Sequence, residues 1–184
     1  MNSKYEMLDE YGYEVFEQNV FPIAYLLTFR TFGTWLHGDK RESVRRDGMN
    51  IYSAPRIRPN ERLENWMIEE MKQPPFILSD KMRETVEASV RELCTQRGFG
   101  LSAVNVRTNH AHAVVSAARK PERIVNALKT NATKMLRELG LVNNDARVWS
   151  RGRSRRYLWK PQDVSAAIEY TQYSQGDEEF VLED

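Results

Sequence analysis

The sequence predicts a single α+β domain in which helices cover one face of an antiparallel sheet. Its 184 residues, 41% of them hydrophobic, have the size and balance of one globular core. Strand-like runs alternate with segments of helical periodicity, and the chain shows neither an internal repeat nor a low-complexity tract. Each element follows from its own local pattern.

The first half of the chain predicts a strand, a helix and two more strands. The run from Phe21 to Gly33 is rich in β-branched and aromatic residues, which predicts a buried strand. Ser79 is a typical helix N-cap and Gly98 a typical stop, and apolar residues recur between them at helical spacing. Further strands are predicted over residues 99–108 and 111–117.

The second half predicts another helix, another strand and a last helix. Pro121 begins an amphipathic helix that ends at Gly140. A strand or hairpin follows over residues 148–159, and the last helix covers residues 161–173. The order strand, helix, strand, strand, helix, strand is the split βαβ, ferredoxin-like arrangement, to which a C-terminal, tyrosine-bearing helix is added.

Three segments fall outside this pattern. Residues 1–20 lack clear periodicity and are predicted to form an N-terminal extension, either a short helix or a loose segment. Residues 38–75 carry many charges and four prolines, which predicts an insertion or long connection with one helix near residues 62–72. The predicted domain therefore covers residues 21–177, and residues 178–184 form an acidic tail.

Composition excludes several classes of protein. The single cysteine, Cys94, allows neither an intramolecular disulfide nor a cysteine-based zinc site. No window approaches eighteen consecutive apolar residues, and the N-terminus lacks the basic and apolar regions of a secretory signal. A cytoplasmic location is therefore expected. The net charge is only +1, but basic residues concentrate between Arg147 and Arg156, where they could bind nucleic acid locally.

Two of the three histidines, His110 and His112, stand two residues apart in a predicted strand. Side chains at this spacing lie on one face of a strand, so both imidazoles could reach the same divalent cation. A catalytic ion also needs a third group and open positions. The alternative is a pair of half-exposed histidines on a sheet surface.

The last helix carries a candidate nucleophile. Tyr170 lies off the apolar stripe formed by Val164, Ile168 and Thr171. Its hydroxyl could accept a phosphoryl group beside a metal ion, although a pKa of about 10 makes an unaided tyrosine a weak nucleophile. Packing at the domain edge is the alternative role, and Tyr173 is a competing candidate.

The densest basic cluster is interleaved with aromatic residues, a combination that suits phosphate contacts and base stacking in single-stranded nucleic acid. A solvated hairpin with its rings in the core is the alternative. Because strand residues alternate between faces, either Tyr157 with Trp159 or Leu158 is predicted to face the core. The predicted DNA-binding residues are Trp149, Arg151, Arg153, Arg155 and Arg156, with Lys129 on the preceding helix.

Three motifs follow one another along the chain: YLLTFRTFGTWLHGD at Tyr25–Asp39, VRTNHAHAVV at Val106–Val115, and RYLW at Arg156–Trp159 followed by the segment Tyr170–Asp177. In this order they resemble the motifs of the IS200-like, single-tyrosine transposases, and in particular their REP-associated branch. The resemblance runs from Tyr25 to Asp177 and is more specific than the histidine pair alone. Members are HUH nucleases, named for two histidines around a bulky hydrophobic residue.

The resemblance implies a ferredoxin-like nuclease with a divalent ion, Mg²⁺ or Mn²⁺. His110 and His112 match the metal ligands, Gln175 the amide ligand and Tyr170 the nucleophile. The implied substrate is single-stranded, hairpin-forming DNA, and the family includes homodimers as well as monomers. Two positions depart from the family pattern: Ala111 is small, and Gln175 lies five residues after Tyr170, where one helical face favours three or four.

These features predict a metal-dependent endonuclease and strand transferase for single-stranded DNA, a transposase that forms a 5′-phosphotyrosine intermediate. A nucleoid-associated cytoplasmic location would follow. One alternative is a non-catalytic nucleic-acid-binding module on the same fold. Another is a histidine-based phosphoesterase that cleaves without a covalent tyrosine intermediate.

Overall fold

The computed structural model describes residues 7–8, 14–15, 21–41 and 57–173, with side chains in the last two ranges. In that part of the chain, no helix has the length and apolar character needed to cross a bilayer. The elements, in chain order, are β1 (Met7–Leu8), β2 (Glu14–Val15), β3 (Ala24–Arg30), α1 (Glu61–Glu69), α2 (Asp80–Arg97), β4 (Gly100–Val106), β5 (His110–Ser116), α3 (Pro121–Glu138), β6 (Ser154–Leu158) and α4 (Pro161–Tyr173).

Strands β3 to β6 form a four-stranded antiparallel sheet in the order β4-β5-β3-β6. Its two central strands, β3 and β5, pair from Tyr25 opposite Val115 to Arg30 opposite His110. Helix α2 connects β3 to β4, and α3 connects β5 to β6. This order of connections is the split βαβ arrangement. The predicted ferredoxin-like α+β fold is confirmed.

Helices α2 and α3 pack on one face of the sheet and enclose the main core. Helix α2 begins and ends as the sequence predicts: the Ser79 hydroxyl accepts a hydrogen bond from the Met82 amide, and Gly98 adopts a left-handed conformation with φ of 65°. Cys94 is part of this core, and burial raises the pKa of its thiol to about 11. The thiol therefore stays protonated and unreactive at neutral pH.

Helix α4 lies on the opposite face of the sheet, where Ala167 packs with Val114 and Leu158 in a second, smaller core. Both faces are therefore covered at β6. Tyr157 packs against the main core, while its neighbour Leu158 belongs to the second. The sequence-based expectation was that either Tyr157 with Trp159 or Leu158 faces the core. It is wrong, because it assumed that helices cover only one face of the sheet.

Several boundaries differ from the sequence-based expectations. The strand predicted from Phe21 to Gly33 covers only Ala24–Arg30. The segment predicted as a strand or hairpin over residues 148–159 contains one regular strand, preceded by a single bridge between Thr31 and Trp149. Instead of a helix or loose segment, two short strands pair within the N-terminal extension. Most of the extension, part of the 38–75 connection and the 178–184 tail lie outside the described residues, so the domain limits stay predictions.

Gly38→Ala is expected to destabilise the protein by about 1–3 kcal/mol. Gly38 has a φ of +97°, and an added Cβ would lie 2.5 Å from the Asn60 carbonyl oxygen and 2.9 Å from the Glu64 backbone nitrogen. Gly140→Ala is a matched control, since Gly140 also has a positive φ of +65° but no atom near the added Cβ. Urea unfolding should show the larger loss for Gly38→Ala; equal losses would contradict the packing argument.

Candidate active site

His110 and His112 project together from β5 on the face of the sheet that α4 covers. Their ring centroids are 4.7 Å apart, with the planes nearly perpendicular at 88°. His112 is almost fully buried, with 5% of its surface exposed, whereas His110 is half-buried. The alternation expected of a strand has therefore brought the two imidazoles into contact.

Each histidine has a hydrogen-bonding partner at Nδ1. The Nδ1 of His112 lies 2.9 Å from the Thr28 hydroxyl, and the Nδ1 of His110 lies 2.5 Å from the Asn109 side-chain oxygen. An amide oxygen can only accept, so it requires the hydrogen on Nδ1 of His110, and the threonine hydroxyl allows the same tautomer for His112. In that tautomer Nε2 carries the lone pair, which makes it the nitrogen suited to bind a metal.

Tyr170 lies beside the histidines in the last turns of α4. Its ring centroid is 5.5 Å from that of His112, in an edge-to-face arrangement of 89°. The side chain is 43% exposed, as expected for a residue off the buried stripe that contains Thr171. The Asn105 amide on β4 donates to the Thr171 carbonyl over 2.9 Å, which fixes this end of the helix to the sheet.

Tyr173, the other candidate nucleophile, and Gln175, the predicted amide ligand, lie at and beyond the end of α4. Tyr173 is 79% exposed, one turn beyond Tyr170. Gln175 lies outside the described residues, so its predicted role stays a prediction. Among the described residues, no group of three or more His, Cys, Asp or Glu side chains is placed to hold a metal. Two imidazoles with aligned tautomers nevertheless fit a divalent ion that takes its other ligands from oxygen atoms.

The arginines of the predicted DNA-binding cluster point in different directions. Arg156 is exposed and pairs with Leu26, so its side chain lies on the sheet face that carries the histidines. Arg155 lies on the other face, where it forms a 2.7 Å ion pair with Glu122 and is only 13% exposed. Arg151 is exposed and Arg153 half-buried in the segment before β6. Of these four, Arg151 and Arg156 are the ones presented to solvent.

Lys129 is buried, and Trp149 is half-buried against the main core. The Lys129 ammonium group is buried and donates to the carbonyl oxygens of Ser150 and Gly152 over 3.0 and 2.7 Å. The Trp149 indole N–H donates to the Lys129 carbonyl over 3.1 Å, and its ring meets Phe29 edge-on at 5.0 Å. These contacts hold the segment that carries Arg151. DNA contact by Lys129 and Trp149 stays a prediction that rests on charge and ring type, and neither property reveals how far a side chain is buried.

Lys129→Met is expected to lower the free energy of unfolding by about 1–3 kcal/mol, because two carbonyl groups lose the buried ammonium that binds them. Lys134→Met is the control, since its side chain on the same helix is 68% exposed. Urea unfolding of both variants gives the comparison. A Lys129→Met protein as stable as Lys134→Met would show that the buried contacts do not stabilise the fold.

Sequence reasoning did not single out Thr28, Asn109, Asn105 or Arg30 as parts of the site. Thr28 and Arg30 lie on β3 directly opposite His112 and His110, and Asn105 lies opposite His112 on β4. Only the strand register brings these residues to the histidines, and register between distant segments is not visible in local patterns. Asn109 alone had a local signal, as the neighbour of His110.

Fold and site together define a ferredoxin-like α+β protein in which a histidine pair on the sheet meets a tyrosine from the C-terminal helix. A family model described as transposase IS200-like matches residues 67–169, more than half of the chain. The chain belongs to the IS200-like transposase family, and the resemblance seen in its motifs is confirmed.

Two solved structures are similar to this chain. A candidate transposase from Deinococcus radiodurans R1 is 14% identical, with 85% of this chain and 94% of that one covered and a TM-score of 0.47. A REP-associated tyrosine transposase bound to a REP hairpin is 9% identical, with 93% of this chain and 70% of that one covered and a TM-score of 0.44. No curated protein matches the sequence significantly.

Proposed function

We propose that the protein is a metal-dependent endonuclease and strand transferase for single-stranded DNA, with Tyr170 as its nucleophile. The observation that carries the proposal is the contact between the Tyr170 and His112 rings, 5.5 Å apart at their centroids. It joins a residue able to form a phosphodiester with residues able to hold a metal. Membership of the transposase family supports DNA as the substrate.

His110 and His112 would hold the ion through Nε2, while Thr28 and Asn109 fix both rings in the required tautomer. Bound Mg²⁺ or Mn²⁺ would polarise the scissile phosphate and offset the charge that develops on its oxygens. Two nitrogen ligands favour Mn²⁺ over Mg²⁺. Gln175, the residue that matches the family's amide ligand, is proposed as a further ligand.

The cleavage step is a substitution at phosphorus. The Tyr170 oxygen forms a bond to the phosphorus atom while the bond from phosphorus to the 3′ oxygen breaks. The phenol loses its proton, and the leaving strand gains one to become a 3′-OH. The protein is then joined to the 5′ phosphate of the remaining DNA fragment. Attack by a second 3′-OH reverses these changes, so strands can be rejoined without another energy source.

DNA would reach Tyr170 across the α4 face of the sheet. Arg156 lies on that face and Arg151 is exposed nearby in sequence, so both are proposed as phosphate contacts. Arg153, half-buried between them, is proposed as a weaker contact. Tyr170 lies beside the His112 ring of its own chain, which supports an active site whose reacting groups come from one subunit. A homodimer would add a second copy of the site.

The test uses labelled single-stranded hairpin oligonucleotides with Mn²⁺ or Mg²⁺, followed by denaturing electrophoresis. We expect a labelled protein–DNA adduct that is lost with EDTA and absent with fully duplex DNA. Binding without an adduct, across a broad pool of hairpins, would favour the non-catalytic module. Cleavage without an adduct would favour the phosphoesterase and overturn the role of Tyr170.

A further inference from the structure

Arg30 is the last residue of β3 and lies directly opposite His110 in the sheet. Residues paired across antiparallel strands project on the same face, with Cβ atoms about 5 Å apart. The preceding pair on that face, Thr28 and His112, shows this directly, because their side chains are hydrogen-bonded. The Arg30 side chain therefore leaves the strand on the α4 face, beside the position of His110, a proposed metal ligand.

The Arg30 guanidinium lies over the face of the Trp35 ring. The guanidinium carbon of Arg30 lies 3.5 Å from the centroid of the indole ring, close enough for a strong cation–π contact. A stacked guanidinium directs its N–H groups outward in its own plane, which is the geometry that binds two phosphate oxygens at once. A lysine could not make this contact in the same way.

A second arginine completes the cluster. Arg41 lies over the same Trp35 ring at 4.7 Å and forms an ion pair with Asp39. Burial acts to raise the pKa of Asp39, but the hydrogen bonds and the charge of Arg41 outweigh it and hold that pKa below its ordinary value. The Asp39 carboxylate is thus ionised at neutral pH and offsets the charge of Arg41, so the two guanidiniums can share one ring.

The loop that carries Trp35 is fastened to the strand end beside His110. The Thr31 hydroxyl donates to the Asn109 carbonyl over 3.0 Å, and the Thr34 hydroxyl donates to the Thr31 carbonyl over 3.2 Å. Arg41 donates to the Thr34 carbonyl over 2.9 Å from the other end of the loop. Trp35 is therefore held by the same short segment that borders the histidine pair.

We propose that Arg30 is a phosphate-binding residue of the active site, which contacts the DNA backbone beside the phosphate that Tyr170 attacks. Trp35 is its positioning residue, and Arg41 with Asp39 holds the indole in place. This inference rests on the proposed function. It also explains why Arg30, Trp35 and Asp39 of the YLLTFRTFGTWLHGD motif are assembled with Arg41, which follows the motif by two residues; the histidines and tyrosine require none of them.

The first experiment measures binding without turnover. Tyr170→Phe protein is titrated into a fluorescent single-stranded hairpin over a range of salt concentrations, with and without Arg30→Gln. Loss of one phosphate contact should reduce the slope of log K against log salt by about 0.7. Arg91→Gln is the matched control, since Arg91 is exposed on α2 and forms an ion pair with Glu87 one turn away, and it should leave the slope unchanged.

The second experiment measures single-turnover adduct formation at saturating DNA. Arg30→Gln should slow it by about 10–100-fold, in the range for loss of one group that stabilises charge. Arg30→Lys should keep the wild-type slope of log K against log salt but form the adduct more slowly than the wild type. Trp35→Phe, which retains an aromatic face, should form the adduct faster than Trp35→Leu does. Mn²⁺ affinity, followed by electron paramagnetic resonance, should not change in any of them.

An unchanged salt slope together with an unchanged adduct rate in Arg30→Gln would overturn the phosphate role. So would lost Mn²⁺ binding or a lowered melting temperature in both Arg30 variants, since either result would assign Arg30 to structure. If wild-type protein forms no adduct with any hairpin, the proposed function fails, yet the salt slope still decides whether Arg30 contacts phosphate. The two failures are thereby separated.

Discussion

Tyr170→Phe is expected to lower the rate of adduct formation by more than about a thousand-fold, the scale on which removal of a nucleophile acts in other covalent enzymes. The variant keeps the ring that meets His112 and loses only the hydroxyl that would bond to phosphorus. Hairpin binding and Mn²⁺ affinity should therefore stay close to those of the wild type. Single-turnover incubation with labelled hairpin and denaturing electrophoresis gives the rate.

Tyr173→Phe is the matched control, one helical turn away and 79% exposed. It should form the adduct at a rate within a few-fold of the wild type. An adduct that persists in Tyr170→Phe and disappears in Tyr173→Phe would reverse the assignment. Loss in both variants would mean that the last turn of α4, and not one hydroxyl, is required.

His112→Ala is expected to abolish measurable Mn²⁺ binding and adduct formation together, because it removes one of only two described nitrogen ligands. Thr28→Val tests the hydrogen bond between the Thr28 hydroxyl and the Nδ1 of His112. Valine has the shape of threonine but no hydroxyl for the Nδ1 of His112, and loss of such a partner weakens metal binding by about 10–100-fold. Isothermal titration with MnCl₂ at constant pH measures both variants.

Thr95→Val is the control for Thr28→Val, since Thr95 is exposed on α2 and its hydroxyl donates to the Arg91 carbonyl of the same helix. It should bind Mn²⁺ as the wild type does. Wild-type affinity in Thr28→Val would show that the hydroxyl does not orient the ring. Undiminished Mn²⁺ binding in His112→Ala would place the ion elsewhere and remove the basis for the proposed metal centre.

The elements of the fold could be predicted because their signals are local. Ser79 and Gly98 bound a helix through hydrogen bonds within one turn, and the alternation of polar and apolar residues identifies strands. The face of the sheet on which α4 packs could not be predicted in this way. The stripe of Ala167 and Thr171 shows that one side of the helix is buried, but not which surface of the sheet receives it.

The site divides in the same way. His110 and His112 reveal themselves by spacing, and Tyr170 by its position off a buried stripe. Thr28 and Arg30 join them only through the register of β3 against β5, which is set by the whole sheet. Lys129 shows the converse: its charge suggested a surface contact, whereas two backbone carbonyls from residues 150 and 152 hold it inside the protein.

Mass spectrometric mapping of the adduct tests the central claim most directly. After reaction with a hairpin, the DNA is trimmed by nuclease and the protein is digested with trypsin. Because Lys160 precedes a proline, the fragment of interest runs from Tyr157 to Asp184 and contains both candidate tyrosines, which fragmentation between residues 170 and 173 resolves. The account predicts a nucleotide phosphate on Tyr170. A phosphate on Tyr173, or on no tyrosine of this fragment, would contradict it.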